Sequence, residues 1–302
     1  NKREDISNKK FINRSTKGVY ELGSVFKTFT LAAGLQQNVI QEDTLFKNLP
    51  KKIKCAGRSI SEYDMDIPSS LTAEEILIRS GNIGSIKIAQ KVGLENFKDF
   101  LENLDLLNKI QFDIEEVGNP IPFKWGKCKL ATSAYGHGIT TTPLQLAKAY
   151  AIIANGGYKI EPTLIKKSKN LKRGEQIITQ ENSNKINEIL RKIVTSEQGT
   201  ANLANIAGYE IAGKTGTAQK SIKGKYSKKK INTFASVFPT SKPKFVLVVM
   251  LDEPKANKEF IYHYRDERSP YKGNWRNTAG WTTVWVAGQI IEKIGPILAT
   301  KY

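Results

Sequence analysis

The chain has 302 residues, of which 39% are hydrophobic and 25% charged, so it can bury a full core as one large domain or two. No apolar stretch reaches 18 residues and no signal-peptide pattern occurs, which excludes a membrane-crossing helix within these residues. The net charge of +18 suits an anionic polymer, a nucleic acid or an anionic surface. The plainer reading, a Lys-, Asn- and Ile-rich composition displayed on a solvated surface, is preferred.

Ser24 to Gln37 is expected to be a helix, with Phe26, Phe29, Thr30, Ala33 and Leu35 on an apolar face and Gly23 as a flexible approach. Leu71 to Arg79 and Ile83 to Val92 read as two helices broken at Ser80-Gly81-Asn82, and Thr72 with Glu75 forms a capping-box pattern. Glu95 to Leu107 is amphipathic. Tyr135-Gly136-His137-Gly138 is a turn that leads into a helix at Pro143 to Ala154, stopped by Asn155-Gly156-Gly157. Glu181 to Val194 is helical. Beyond Gly199 the texture changes: Tyr209 to Gln219, Thr233 to Phe238 and Phe245 to Leu251 read as strands, and Ala279 to Ile294 as a closing helix. The basic run Lys220 to Lys230 holds one Tyr and lacks the aromatic interleaving of a single-strand platform, so it is expected to be an exposed loop or hairpin. The expected class is α+β: an antiparallel sheet flanked by helices, plus a helical lobe.

Cys55 and Cys128 lack a CxxC spacing and make neither a metal site nor a redox pair; whether they form a disulfide is open. His137 and His263 are the only histidines, and there is no HExxH, so no metal is expected. Neither histidine sits in a nucleophile-elbow context, which argues against a Ser–His–Asp triad.

Acyl transfer without histidine remains. Ser-x-x-Lys occurs four times, at Ser7, Ser24, Ser227 and Ser241, and only Ser24 opens an apolar helical segment. Residues three apart share a helix face, so Ser24 and Lys27 can meet. A serine hydroxyl needs a base to become a nucleophile. Lysine serves once burial and a neighbouring cation lower its pKa, which assigns Lys27 as base near Lys214. Ser-x-Asn occurs at Ser80 and Ser168; Ser168 lies among lysines, whereas Ser80-Gly81-Asn82 sits between helices. Ser80 can relay a proton and Asn82 can bind a substrate amide. Lys214-Thr215-Gly216 is unique in the chain and lies in an expected strand, followed by Thr217. Lys214, Thr215 and Thr217 can hold a carboxylate, and Gly216 permits close backbone approach. An extended peptide can add to such a strand. The backbone N–H groups of Ser24 and Thr217 are the candidate oxyanion hole. Each motif alone has a plain alternative: a capping serine beside a surface lysine, helix caps, or a β-turn.

The ordered set Ser24-Val25-Phe26-Lys27, Ser80-Gly81-Asn82 and Lys214-Thr215-Gly216 resembles the transpeptidase domain of class B penicillin-binding proteins, and most of all the division-specific (septal) type. The likeness spans nearly the whole chain. It includes Asn13-Arg14, Val19-Tyr20-Glu21-Leu22-Gly23-Ser24, Tyr135-Gly136-His137-Gly138-Ile139, Thr142-Pro143-Leu144-Gln145, Gly213 to Ala218, Val249 to Pro254, and Thr278-Ala279-Gly280-Trp281. Leu22 departs from the proline that many relatives carry there. The resemblance implies the penicillin-binding-protein/serine β-lactamase-like fold over residues 1–302. It implies a serine D,D-transpeptidase, without cofactor, that crosslinks peptidoglycan stem peptides through a Ser24 acyl-enzyme. Lys27 would be base, Ser80 and Lys214 the proton relay, and Asn82, Thr215, Gly216 and Thr217 the substrate-binding residues. β-Lactams would acylate Ser24. The expected partners are D-Ala-D-Ala donor and amine acceptor peptides, β-lactams, and division proteins including a membrane glycosyltransferase, with no nucleic acid. The family places the catalytic domain in the periplasm on an inner-membrane anchor and a pedestal, and the chain is expected to be trimmed of both.

The alternatives are an elongation-specific transpeptidase, a D,D-carboxypeptidase, a β-lactam sensor domain and a serine β-lactamase. Against the last stand the lack of Glu-x-x-Leu-Asn after the second motif, Asn82 where Ser-x-Val would place valine, and 134 residues from Ser80 to Lys214. A basic nucleic-acid binding module is the non-enzymatic alternative, distinguished by a salt-dependent binding assay.

Overall fold

The structure, a computed structural model, describes residues 11–166, 173–222, 225–255 and 276–301. Ser7, Ser168 and His263 lie outside them. A 3₁₀ turn, Gly23–Phe26, runs directly into helix α1, Lys27–Gln36. The short strands β1 (Leu45–Phe46), β2 (Lys52–Cys55), β3 (Arg58–Ser61) and β4 (Leu71–Thr72) follow, and then the helices α2 (Ala73–Ile78), α3 (Asn82–Val92), α4 (Leu94–Asn103), α5 (Lys127–Ser133), α6 (Pro143–Ala154) and α7 (Gln180–Thr195). Strands β5 (Ala212–Ile222), β6 (Lys225–Phe238) and β7 (Phe245–Asp252) form an antiparallel sheet in the order β5-β6-β7, and α8 (Thr283–Lys301) closes the described chain. The α+β expectation holds. Among the described residues no helix is long and apolar enough to cross a membrane.

Helix α1 is the centre of the molecule. The sequence suggested one apolar face, but Lys27 through Leu35 are all buried. A helix covered all round needs neighbours on every side: α1 packs against α2, α3, α4 and α7. Its Thr28 hydroxyl finds Tyr150 at 2.8 Å, and Thr30 donates to the Ala134 carbonyl at 2.7 Å, so its buried polar groups are satisfied. The sheet covers the preceding turn through β5, while α6 and α8 pack on β6 and β7.

Helix starts follow local chemistry closely. Thr72 and Thr142 each form a full capping box, with Glu75 and Gln145, and Pro143 occupies the first turn of α6. The main departures among the expected elements are three. The first α-helix begins at Lys27, because Ser24 lies in the tighter 3₁₀ turn. The last begins at Thr283, since Ala279–Trp281 is a 3₁₀ turn, and it continues to Lys301. Strand β6 starts at Lys225 rather than Thr233. The β5–β6 pairing, with Ser221 opposite Tyr226, continues into a solvated arm that carries the basic run, so that run is a hairpin. Cys55 and Cys128 form a disulfide, with Cα atoms 5.6 Å apart, that ties the β2–β3 hairpin to α5.

Candidate active site

The site forms where the Gly23–Phe26 turn meets β5 and the loop between α2 and α3. From Leu22 to Leu35 every residue is buried except Ser24, which opens onto a cleft of about 990 Å³. Gly23 takes φ +65°, a conformation that an L side chain rarely adopts, and a side chain there would also meet the Thr217 backbone at 2.9–3.3 Å. In a 3₁₀ turn residues i and i+3 share a face, and the Lys27 N–H bonds back to the Ser24 carbonyl.

Ser80 reaches the site through a helix ending. The N–H of Gly81 bonds to the Ile76 carbonyl (2.9 Å) and that of Ser80 to the Leu77 carbonyl (3.2 Å), the double bond of a Schellman motif. Ser80 occupies the left-handed position with φ +59°, where glycine is usual and an L residue costs about 1–2 kcal/mol. That turn presents both Ser80 oxygens to one lysine. Lys27 Nζ donates to the Ser80 carbonyl (2.5 Å), Ser80 Oγ (3.2 Å) and Asn82 Oδ1 (2.7 Å). Lys214 Nζ donates to the same Ser80 Oγ at 2.8 Å and to the Thr215 carbonyl at 3.2 Å. One hydroxyl therefore joins two buried lysines.

Two ammonium groups on one hydroxyl in a dry interior cannot both be comfortable. Burial is the first cause that lowers the Lys27 pKa, to about 7, partly opposed by the charge of Glu62. Burial also holds Lys214 well below its ordinary value, and the Lys27 charge adds to this. With its pKa near 7, Lys27 can hold or release a proton near neutral pH, the requirement for general acid–base work.

Strand alternation divides the third motif. A side chain at Gly216 would overlap the Leu22 carbonyl, so the Lys214 and Gly216 face packs on the nucleophile turn. On the other face Thr215 Oγ1 lies 2.7 Å from Thr200 Oγ1, and Thr217 Oγ1 accepts from the Ala279 N–H at 3.0 Å. Both threonines line the cleft. β5 is an edge strand of its sheet.

The structure thus brings Ser24, Lys27, Ser80, Asn82, Lys214, Thr215, Gly216 and Thr217 to one cleft corner. Ser24 Oγ has no hydrogen-bond partner among the described residues; Lys27 reaches Ser80 and Asn82 instead, and catalytic contacts often tighten only with substrate bound. Asn82 is engaged at both ends, by Lys27 and by the Ser61 carbonyl (2.8 Å), so it fixes the position of the Lys27 amine.

Glu62 escaped the sequence reading. Its two carboxylate oxygens accept the N–H groups of Asn82 (2.6 Å) and Ile83 (2.8 Å), capping α3 from a loop 20 residues upstream. Gly81 at the N-cap has no side chain for the task. A helix without its own cap was the only available hint. Thr200 was likewise missed, and no local signal marks it.

Residues 1–267 match the model of the penicillin binding protein transpeptidase domain. The chain belongs to the penicillin-binding protein transpeptidase family. It is 31% identical over 301 residues to the probable peptidoglycan D,D-transpeptidase FtsI of Caulobacter vibrioides, covering 96% of this chain and 48% of that protein. It is 32% identical to peptidoglycan D,D-transpeptidase FtsI of Escherichia coli K12, covering 82% and 42%. The chain spans about half the length of these curated relatives. Among solved structures it is similar in fold to the transpeptidase domain of penicillin-binding protein 3 from Burkholderia pseudomallei, with a TM-score of 0.79, 24% identity, and coverage of 93% of this chain and 82% of that one. It also matches penicillin-binding protein 3 from Mycobacterium tuberculosis complexed with aztreonam, at TM-score 0.76 and 24% identity, covering 94% of this chain and 64% of that one. The penicillin-binding transpeptidase fold expected from the motifs is the fold found.

Proposed function

We propose that this chain is the catalytic domain of a serine D,D-transpeptidase that crosslinks peptidoglycan stem peptides at the division septum. The observation that carries this is the convergence of Lys27 and Lys214 on Ser80 Oγ beside the cleft-facing Ser24. Ser24 Oγ attacks the carbonyl carbon of the D-Ala-D-Ala amide while neutral Lys27 takes its proton. The backbone N–H groups of Ser24 and Thr217 hold the oxyanion, where Gly23 and Gly216 let the two segments approach. Ser80, between the lysines, passes the proton to the departing D-alanine nitrogen, and the C–N bond breaks. Lys214, Thr215 and Thr217 bind the donor carboxylate, and Asn82 keeps Lys27 aimed. A neutral amine of a second stem peptide then attacks the acyl-enzyme carbonyl; the new amide bond forms, the ester bond to Ser24 Oγ breaks, and the amine's proton returns to Ser24 Oγ through the same relay.

β-Lactams present a carbonyl in place of that amide and acylate Ser24; aztreonam and ampicillin complexes of fold relatives support this. The names of the relatives support the septal role. We assign the domain to the periplasmic face of the inner membrane, joined to an anchor and pedestal outside residues 1–302 and working with division proteins that include a membrane glycosyltransferase. No cofactor or nucleic acid enters the reaction.

The test is covalent labelling with a fluorescent penicillin, followed by intact-mass measurement over hours. A Ser24 adduct that persists, and is absent in Ser24→Ala, is expected. Equal labelling of Ser24→Ala would move the nucleophile elsewhere, and rapid loss of the adduct would make the chain a β-lactamase.

A further inference from the structure

Strands β2 and β3 pair with each other and with no third strand among the described residues. A lone two-stranded hairpin is marginally stable in water, and this one has further handicaps. Its turn holds Ala56 and Gly57 at φ +48° and +75°, where asparagine or glycine is usual and alanine is strained. Only one of its faces is covered: Ile60 is buried and Ile53 half-buried, while Lys52, Lys54, Ser59 and Ser61 are exposed. The Cys55–Cys128 bond grips the hairpin at the last residue pair before that turn, Cys55 opposite Arg58, and fastens it to α5.

The other end of the hairpin carries the support of the active site. Its ladder runs on past β3, with the Glu62 N–H bonded to the Lys51 carbonyl at 2.9 Å. Glu62 holds the N–H groups of Asn82 and Ile83, and the Ser61 carbonyl holds the Asn82 side chain. Asn82 Oδ1 in turn accepts from Lys27 Nζ. A contiguous set of bonds thus runs from the disulfide, through the hairpin, to the Lys27 amine. Both cysteines are half-buried, within reach of an exchanging thiol. Exposed Lys54 and Lys127 adjoin them in the chain, and nearby cations favour the thiolate that exchange requires.

We propose that Cys55 and Cys128 are a modification site, oxidised by exchange with a disulfide-bearing partner, and that the bond switches acylation on. The pair is not a catalytic redox couple of its own; it is the substrate of one. One cysteine thiolate attacks the partner's disulfide, forming a mixed disulfide and releasing one partner thiol. The second cysteine then attacks the chain's sulfur in that mixed disulfide, which forms the Cys55–Cys128 bond and releases the other partner thiol. The partner takes both electrons and both protons. In the dithiol form the hairpin parts from α5, Ser61 and Glu62 let go of Asn82, and Lys27 Nζ loses its fixed place beside Ser80. Thr215 and Thr217 stay in position, because they stand on β5 and not on the hairpin. This rests on the transpeptidase reading above and adds its regulation.

Stopped-flow acylation by benzylpenicillin tests this, since it separates the dissociation constant of the first complex from the acylation rate constant. The oxidised chain, the chain reduced with dithiothreitol, and the double variant Cys55→Ser, Cys128→Ser are compared where urea titration shows each to be folded. Loss of the bond should lower the acylation rate constant roughly tenfold to a hundredfold, the scale of a misplaced catalytic group. The dissociation constant of the first complex should not change. Glutathione disulfide should restore the rate of the reduced chain and leave the serine variant slow. A bond that only braces the fold acts through the unfolded fraction, which raises the apparent dissociation constant and leaves the rate constant alone. That pattern, an unchanged rate, or a reduced chain with no folded form overturns the switch and leaves the transpeptidase standing. Failure of the oxidised chain to form any acyl-enzyme overturns the transpeptidase itself and the switch with it.

Discussion

Replacing Lys27 by Met examines the electrostatics of the site without touching the nucleophile. Burial brings the Lys27 pKa down from 10.5 to about 7. At about 1.4 kcal/mol per pH unit, holding this ammonium inside costs the folded protein about 5 kcal/mol wherever both folded and unfolded states are protonated. That full cost applies below pH 7. As pH rises from 7 toward 10.5 the folded protein sheds the proton while the unfolded chain keeps it, so the cost shrinks to about 2 kcal/mol at pH 9. The Met variant has no such proton. Its stability relative to the parent chain should therefore fall by about 3 kcal/mol between pH 6 and pH 9. Met also leaves the Ser80 carbonyl and Asn82 Oδ1 without their donor, a loss common to both pH values. Lys214, relieved of its neighbour's charge, titrates closer to its ordinary value in the variant, which reinforces the same trend. Urea unfolding at the two pH values, with the slope m checked for constancy, gives the difference directly. A stability change that is the same at pH 6 and pH 9 would refute a Lys27 poised near neutrality.

The acylation rate with benzylpenicillin should rise about tenfold per pH unit up to about 7 and then level, because only neutral Lys27 accepts the serine proton; a rate flat from pH 5 to 8 contradicts this. Glu62→Gln should shift that limb to lower pH, since the carboxylate charge is what raises the Lys27 value. Ser80→Gly should be more stable than Ser80→Ala by about 1 kcal/mol, because both lose the hydroxyl but only glycine relaxes at φ +59°; equal melting temperatures would argue against strain at this turn. Replacing Cys55 and Cys128 by serine should lower stability by about 4–5 kcal/mol, from a closed loop of 73 residues, and the parent chain in reductant should match the variant. Gly216→Ala should abolish penicillin labelling, as the new methyl group would overlap the Leu22 carbonyl beside the nucleophile; labelling at the parent rate would remove β5 from the site.

The parts legible in the sequence are those written in local chemistry. Capping boxes at Thr72 and Thr142, the stop at Asn155-Gly156-Gly157, and the order of Ser24, Ser80 and Lys214 all lie within a few residues of the feature that they encode. The uniqueness of Lys214-Thr215-Gly216 and its place in a strand anchored the rest. Less legible was anything decided across the fold. Ser24 looked like the opening of an α-helix, but it lies in a 3₁₀ turn whose Gly23 approaches the Thr217 backbone. The two- and four-residue strands β1 to β4 are too short to show a period and exist only as partners. The basic half of β6 has no buried face to announce it and is held by main-chain pairing to β5. Asn82 lines the cleft, and its bonds to Lys27 and to the Ser61 carbonyl are made across the fold. Glu62 acts on residues 20 positions away, beyond the reach of any local pattern.

The bond between Cys55 and Cys128 divides the catalytic groups by connectivity. The ring that it closes contains Glu62, Ser80 and Asn82. Ser24 and Lys27 lie on the open segment before the ring, and Lys214 on the open segment after it. The Ser80 hydroxyl is thus carried by a covalently closed loop, while each lysine that it joins arrives from a different free arm. Detachment of the β5–β7 sheet would withdraw Lys214, Thr215 and Thr217 together, yet leave Ser80 and Asn82 tied within one ring. Partial opening of this kind would part Lys214 from Ser80 Oγ before it disturbed the ring, so a chain near its thermal limit should lose penicillin labelling before the disulfide-closed loop unfolds.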